Sequence, residues 1–182
     1  MATETEPVVF APGMEGLVRA MEPFAGPSTW ADLKARGFDK DKPLLAAYPV
    51  ATWLMVLEAG VQACQGRSRD EALRWLGAQA IAGFRQTLVG AALFQLLALI
   101  GLERGLRRVT RSFRNGNNFL ELELTHFEPG RATLRASNVA GVAPHFLGMV
   151  MAGCEAVGAR EVKGRVTSQQ GDRAEFELTW QA

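Results

Sequence analysis

The hydrophobic pattern changes its period near residue 114, and this change constrains the fold more than any other feature of the sequence. Before it, apolar residues recur at the 3.6-residue spacing of an amphipathic helix, as in Pro49–Cys64. After it, Phe119–Phe127 alternates apolar and polar residues, which is the period of a half-buried strand. The sequence therefore predicts an N-terminal helical part followed by a part that contains a sheet.

The C-terminal part predicts two β-hairpins separated by a helix. If Pro129–Arg131 is the loop of the first hairpin, His126 lies opposite Leu134, on the apolar face of the strand. Pro144 suits the first turn of the intervening helix. A loop at Gln170–Asp172 closes the second hairpin.

These elements predict an α+β fold, in which the N-terminal helical part packs on one face of an antiparallel sheet built from the two hairpins. Residues 1–7 are expected to form a flexible tail and residues 8–182 a single domain, which suits a chain of 182 residues. On the second hairpin Arg165 would face Glu177 across the polar side. That side is expected to face solvent or a partner.

Composition excludes several classes of protein. Twenty basic and 19 acidic side chains give a net charge of +1, so there is no overall attraction to nucleic acid, and 48% hydrophobic residues are too many for a disordered chain. Cys64 and Cys154 are too few and too far apart for a disulfide framework or a zinc site. The acidic N-terminus lacks the features of a signal peptide, so we expect a cytoplasmic protein.

Ser68 and Glu71 form a capping box, S-x-x-E, which predicts a helix start. The helical region behind it is rich in glycine and alanine, which indicates close packing of backbones or a hollow for a ligand. Gln86–Leu102 carries no charge. The run has 17 residues and would be about 26 Å long as a helix, whereas a membrane span needs roughly 20 residues. It therefore predicts a buried core helix rather than a transmembrane or membrane-lying segment.

A ligand site is indicated where polar side chains interrupt this apolar region. Arg85 and Thr87 lie between two glycines and could serve as polar handles in an otherwise apolar pocket. Trp53, Phe84 and Phe94 are the candidate apolar contacts. An exposed ridge or a hydrogen bond between helices would explain the same pattern.

Five arginines fall within eleven residues and would share one face of a helix, opposite an apolar face. They are Arg104, Arg107, Arg108, Arg111 and Arg114. Such a face could bind an anion or an acidic protein. It could equally be an ordinary solvated surface, and no DNA-recognition motif accompanies it.

An enzyme is the third hypothesis, behind a sensor and an interaction domain, because no acid, base or nucleophile stands in a recognisable setting. His126 is expected to be a core imidazole, and His145 lies at a helix start, where the dipole would lower its pKa. Neither histidine has a partner constellation, and there is no GxSxG, HExxH or glycine-rich phosphate loop. We expect no metal and no cofactor.

Several short segments together carry a resemblance to a known family. They are Gly37-Phe38-Asp39, Tyr48-Pro49 with Trp53, Glu71-Ala72 with Leu76-Gly77, Gly83-Phe84 with Thr87 and Gly90, Phe113–Asn118, Ala156–Ala159 and Trp180. In order and spacing they resemble a large paralogous domain family of unknown function that is expanded in myxobacteria. The resemblance covers nearly the whole chain and implies no activity, cofactor or catalytic residue.

The order of elements is also similar to the superfamily of haem nitric-oxide sensors and vinyl-reductase-type domains. That resemblance implies a hydrophobic cavity between helices and sheet, and dimerisation. The haem sensors use a histidine on a helix before the sheet and a Tyr-x-Ser-x-Arg motif. Here Gln86–Arg114 contains no histidine and Tyr48 is the only tyrosine, so the resemblance implies a haem-free relative.

The leading hypothesis is a non-enzymatic sensor or regulatory module that holds a small apolar or amphipathic ligand between the helices of residues 68–102 and the sheet. The alternative is a ligand-free interaction domain that uses the basic helix face. The candidate partners are therefore a small apolar ligand, an acidic protein and a second copy of the chain. Nucleic acid and a membrane span are not expected.

Overall fold

The structure is a computed structural model and describes residues 6–181, apart from the side chain of Thr110. Most of the predicted tail, residues 1–5, lies outside the described residues. The N-terminal part contains β1 (Val8–Phe10), α1 (Ala11–Met21), α2 (Pro27–Ala35), β2 (Ala47–Pro49), α3 (Val50–Ala63), α4 (Arg69–Arg85), α5 (Leu88–Ile100), α6 (Leu102–Arg107) and α7 (Val109–Phe113). The C-terminal part contains β3 (Glu121–Glu128), β4 (Arg131–Ser137), α8 (Ala143–Ala156), β5 (Arg160–Gln170) and β6 (Arg173–Gln181).

The predicted α+β fold is confirmed. Strands β3 to β6 form an antiparallel sheet in the order β3-β4-β6-β5. One face of this sheet is buried and includes Leu122, Leu134, Ala136, Phe176 and Leu178. Helix α8 packs on that face so closely that a β-carbon at Gly164 would lie 2.9 Å from Leu147 Cδ1 and 2.8 Å from Met151 Sδ.

The register of the first hairpin differs from the sequence prediction. The loop has two residues, so Glu128 pairs with Arg131, and a β-bulge lies between Leu124 and His126. His126 therefore pairs with Thr133 rather than Leu134, and its side chain is exposed. The prediction of a core imidazole at His126 was wrong because the extra residue of the bulge reverses the alternation of the strand.

The register of the second hairpin is confirmed at its centre. Val166 pairs with Phe176 and Arg165 with Glu177. The Arg165 and Glu177 side chains form an ion pair with an N–O distance of 2.8 Å. The loop is again shorter than predicted, because Gln170 pairs with Arg173 and a bulge at residue 167 takes up the extra residue.

Helix α4 lies at the centre of the helical part and contacts both α1 and α8. It begins as predicted at a capping box, in which Ser68 Oγ accepts from the Glu71 N–H (3.4 Å) and the Glu71 carboxylate accepts from the Ser68 N–H (2.9 Å). A β-carbon at Gly77 would lie 2.0 Å from the His145 carbonyl oxygen of α8, and one at Gly83 would lie 2.6 Å from the Gly16 carbonyl oxygen of α1. The small residues of α4 therefore let three helix backbones approach closely.

The chain turns by 98° between α4 and α5, at a two-residue break that was not predicted from the sequence. Thr87 forms the corner, because its Oγ1 donates to the Phe84 carbonyl oxygen (2.7 Å) and accepts from the Gly90 N–H (3.0 Å). Gly90 is required there, since a β-carbon on it would lie 1.9 Å from the Phe84 carbonyl oxygen.

Helix α5 is not the buried core helix that its composition predicted. Only Gly90 and Phe94 of its 13 residues are buried, whereas Leu88 is 89% and Leu99 is 85% exposed. The prediction was based on the rule that a helix with apolar residues on all sides is normally buried. It failed because the turn at Thr87 directs α5 along the protein surface. Within residues 6–181 no single helix is long and apolar enough to span a membrane, and α4 and α5 meet the length and composition criteria only as a bent pair.

Candidate functional site

A cavity of about 120 Å³ lies among the helices, bounded by α1, α3, α4, α5, α6, α7 and α8. Its wall is mostly apolar and includes six large aromatic side chains, from Trp53, Phe84, Phe94, Phe113, Phe119 and Phe146. None of the side chains that the structure shows lining it is charged. The cavity does not lie between helices and sheet as predicted, because α8 separates it from the four-stranded sheet.

The turn between α4 and α5 shapes one end of this cavity. It places Phe84, near the end of α4, and Phe94, in the middle of α5, on the same wall. Beyond α5, the positive φ of Gly101 (81°) redirects the chain into α6, whose Leu106 is buried and also lines the cavity. The opposite wall is one stripe of α8 that includes the buried residues Phe146, Val150 and Cys154.

His145 is the most unusual residue of the cavity wall. Its ring lies edge-on to Trp53, with centroids 5.4 Å apart, and next to Phe146. Its Nδ1 atom is buried and has no hydrogen-bond partner among the described residues. Burial lowers the pKa of His145 to about 4, and a hydrogen bond with the Leu73 backbone partly opposes this shift. His145 is therefore neutral at pH 7.

Cys154 is the other titratable group that lines the cavity. Its thiol is free and buried, and burial raises its pKa to about 12. Since His145 and Cys154 are both neutral at pH 7, the described wall of the cavity carries no ionised group. Such a surface suits an uncharged apolar ligand and penalises an ionic one.

Three of the five predicted ligand-site residues line the cavity: Trp53, Phe84 and Phe94. The two predicted polar handles do not. Arg85 is exposed, with its guanidinium 5.6 Å from the centroid of the Phe94 ring, and Thr87 is used for the corner between α4 and α5. Thr87 thus fits one of the two alternative explanations, a hydrogen bond between helices, because its hydroxyl links the end of α4 to the start of α5.

His145, Asn117 and Phe119 also line the cavity, although the sequence did not predict them as part of the ligand site. Asn117 is buried, and its Oδ1 accepts from the Phe119 N–H (3.2 Å) and the Leu120 N–H (2.8 Å), which fixes the chain between α7 and β3. The available signal was the stripe on α8, because residues one helical turn apart on it share the cavity wall. His145 could have been linked to the site through its neighbour Phe146.

The five predicted arginines are all exposed, but the helix that carries them is broken at Arg108 into α6 and α7. The opposite side is apolar as predicted, since Leu106 and Val109 are buried. Two of the arginines are paired, Arg107 with Glu103 (2.8 Å) and Arg114 with Glu121 (3.3 Å). The remaining three form no ion pair within residues 6–181; they are Arg104, Arg108 and Arg111.

Residues 6–181 contain no group of three or more histidine, cysteine, aspartate or glutamate side chains that could hold a metal ion.

The chain belongs to a family of proteins of unknown function, DUF2378, whose model matches residues 8–181. This confirms the resemblance to a family without an assigned activity. None of the curated proteins matches the chain.

Solved structures of H-NOX domains share its fold. An oxygen-binding H-NOX domain related to soluble guanylate cyclases, in its oxygen complex, is 12% identical, with a TM-score of 0.70 and 92% of each chain covered. An H-NOX protein from S. oneidensis in the Fe(II)NO state is 9% identical, with a TM-score of 0.73 and coverage of 94% of this chain and 99% of that one. A third structure, from work on haem distortion in the H-NOX family, is 12% identical with a TM-score of 0.61, covering 93% and 94%. The fold of this chain is therefore that of an H-NOX domain, as the order of elements predicts.

Proposed function

We propose that this protein is a haem-free, non-enzymatic sensor module that binds a small apolar or amphipathic molecule in the cavity among its helices. The observation that carries the proposal is the cavity itself, about 120 Å³ in volume with a mostly apolar, uncharged wall. Cavities of about 150 Å³ lined by apolar side chains stay dry and bind benzene or xenon. A ligand of about that size fits without movement of the helices.

The residues around the cavity do not fit haem. Haem has two carboxylates, and none of the described lining side chains is a lysine or arginine that could pair with them. The histidine on the wall, His145, is itself buried, and so is its unpartnered Nδ1 atom. The volume is also below the 300–1,000 Å³ typical of cofactor sites. These observations support a ligand other than the one that gives the H-NOX neighbours their chemistry.

A sensor role draws on the fold shared with the H-NOX domains and on the position of the cavity. Its walls come from α4, α5 and α8, and α8 also packs on the sheet. A ligand that displaces α8 would therefore displace the sheet it covers. We place the whole of residues 8–182 in one domain of this kind, in the cytoplasm, with a second copy of the chain as a candidate partner.

Gly153 provides a direct test of the ligand site. It lines the cavity on α8, and a β-carbon on it would have no atom within 4 Å. The first atom of a larger side chain therefore has room, and we expect the side chain of Gly153→Leu to occupy part of the cavity. We expect benzene and indole to bind the wild-type protein in an NMR titration, and Gly153→Leu to weaken their binding at least tenfold. Gly153→Ala, which adds only a methyl group, is the matched control.

The outcome that would contradict the proposal is equal binding of benzene and indole by Gly153→Leu and the wild type. Failure of the wild type to bind either probe would contradict it as well. Native mass spectrometry of gently purified protein then identifies any ligand that the cavity already holds.

The second candidate function is a ligand-free interaction domain that docks an acidic protein on the arginine face. It is favoured by the exposure of Arg108 and Arg111, which have no ion-pair partner among the described residues. Reversing the charges of Arg107, Arg108 and Arg111 should abolish such docking and leave the thermal midpoint nearly unchanged. Full retention of partner binding would exclude this surface.

A further inference from the structure

Helix α5 presents an apolar face to solvent. Eight of its residues lie on this face and are exposed, and seven of them are leucine, valine or alanine: Leu88, Val89, Ala91, Ala92, Leu96, Ala98 and Leu99, with Gln95 as the eighth. At about 1.5 Å per residue the helix forms an apolar ridge about 20 Å long. A contiguous apolar surface of this kind is typical of a membrane or protein contact.

The inner side of the same helix packs against the rest of the protein. Phe94 is buried, and Leu93 and Leu97 are partly buried and pack in the small cluster that includes Ile81 and Phe84. Helix α5 is therefore anchored in the fold by its inner side, and its exposed leucines are not explained by poor packing of the helix. They are a second apolar surface on a helix that is already anchored.

Arginines flank α5 in the chain, one before the helix and three soon after it. Arg85 holds its guanidinium against the Phe94 ring of α5, 5.6 Å from the centroid. Arg104, Arg107 and Arg108 follow the end of α5 within eight residues, on or directly after a helix that packs back against it, since a β-carbon at Gly105 would lie 3.6 Å from Leu97 Cδ2.

The charge of this segment is opposite in sign to that of the rest of the chain. Residues 85–114 contain six arginines and one acidic residue, Glu103. The remaining residues have 14 basic against 18 acidic side chains, because the whole chain has 20 and 19. The near-neutral total therefore combines a strongly basic segment, which also carries the apolar ridge, with an acidic remainder.

We propose that α5 and the adjoining arginines form a binding site for an anionic membrane surface. The apolar ridge would enter the boundary between headgroups and acyl chains, while the arginines would contact lipid phosphates. The helix would lie along the membrane and not span it. This pairing of apolar and basic surface is the one that interfacial helices use on anionic lipids.

A second copy of the chain fits the same surface less well. In a two-fold contact through α5, each copy would bring its own arginine-rich segment to the same interface, and like charges placed opposite each other are unfavourable. An acidic protein would pair with the arginines but leaves the apolar ridge unexplained. A membrane with anionic headgroups accounts for both features.

The test is sedimentation of the purified full chain with lipid vesicles. We expect binding to vesicles of phosphatidylcholine and phosphatidylglycerol in equal parts, no binding to phosphatidylcholine alone, and weaker binding as salt is raised. Leu88→Ser with Leu99→Ser should reduce binding at least tenfold. Both side chains are exposed, so the thermal midpoint of this variant should match that of the wild type.

Two control variants distinguish binding through this site from nonspecific adsorption to vesicles. Leu45→Ser removes a leucine that is 62% exposed in the loop before β2, outside the ridge, and should leave vesicle binding unchanged. Arg104→Glu with Arg108→Glu should reduce binding at least tenfold. Arg160→Glu with Arg173→Glu, at exposed positions on the sheet, should not.

Three results would overturn the proposal. The first is absence of binding to the anionic vesicles. The second is equal loss of binding in the ridge variant and in Leu45→Ser. The third combines two observations: the wild type does not bind vesicles, and light scattering shows it to be a dimer that dissociates in the Leu88→Ser, Leu99→Ser variant. A second copy of the chain would then cover the ridge. Cavity binding of benzene is a separate measurement and can succeed or fail independently of these results.

Discussion

Replacing Gly77 by alanine tests the contact on which the helical part is built. Gly77 lies in the interior of α4, where α8 crosses it, and its Cα faces the backbone of α8. The added β-carbon would lie 2.0 Å from the His145 carbonyl oxygen and 3.0 Å from the Met149 nitrogen. These are backbone atoms, so no side-chain rotation can relieve the overlap, and α4 and α8 must move apart.

The size of the effect follows from two opposing contributions. Alanine is favoured over glycine in a helix by about 1 kcal/mol. Overpacking of a tight core costs about 1–3 kcal/mol and sometimes more. Because the contact must open from 2.0 Å to at least 3.4 Å along a long helix pair, we expect the upper end of that range. The net loss is then about 2 kcal/mol, or about 4–8 °C in Tm for a domain of this size.

Gly153→Ala is the matched comparison. It makes the same chemical change in a helix, but its β-carbon would meet no atom within 4 Å. It should raise the free energy of unfolding by up to about 1 kcal/mol. Urea unfolding followed by circular dichroism measures both variants. If Gly77→Ala were as stable as Gly153→Ala, the close crossing of α4 and α8 would be refuted.

Three further outcomes are expected. The pKa of His145 is about 4 in the folded protein against 6.5 ordinarily, so the unfolded chain takes up its proton first as the pH falls. Stability should therefore decline by about 3 kcal/mol between pH 6.5 and pH 4, and urea titrations of His145→Phe should lack this part of the slope. Ser68→Ala removes the cap of α4 and should cost about 1 kcal/mol in the same assay, a prediction that an unchanged urea midpoint would contradict. Arg85→Ala should leave benzene affinity in the NMR titration unchanged, because the Arg85 side chain lies outside the cavity. Phe94→Ala should alter that affinity, because Phe94 lines the cavity. The reverse result would show that Arg85 belongs to the ligand site.

The elements that depend on local chemistry were predictable from the sequence. The capping box at Ser68 and Glu71 and the pairing of Arg165 with Glu177 rest on residues that interact directly, and both are confirmed. The register around His126 was not predictable, because the bulge beside it inserts one residue without a glycine or proline to mark it. The strand β2 was missed since three residues carry too little periodicity to be recognised.

The candidate site was predictable only in part. Trp53, Phe84 and Phe94 could be linked through apolar spacing, and they do line one cavity. That Phe84 and Phe94 share a wall depends on the 98° turn after α4, which also carries α5 away from the core and leaves Leu88 and Leu99 in solvent. A run of apolar residues has the same composition in a core helix and in a surface helix, so only the tertiary structure distinguishes them.

The central claim is that the cavity among the helices accepts a small apolar ligand, and a crystal structure under xenon pressure tests it most directly. Xenon needs no specific hydrogen bond and reports only on accessible apolar volume. We expect a strong xenon peak between Phe84, Phe94 and Phe146, and its loss in Gly153→Leu crystals. A wild-type structure with no xenon among these three side chains would show that the cavity does not accept an apolar ligand.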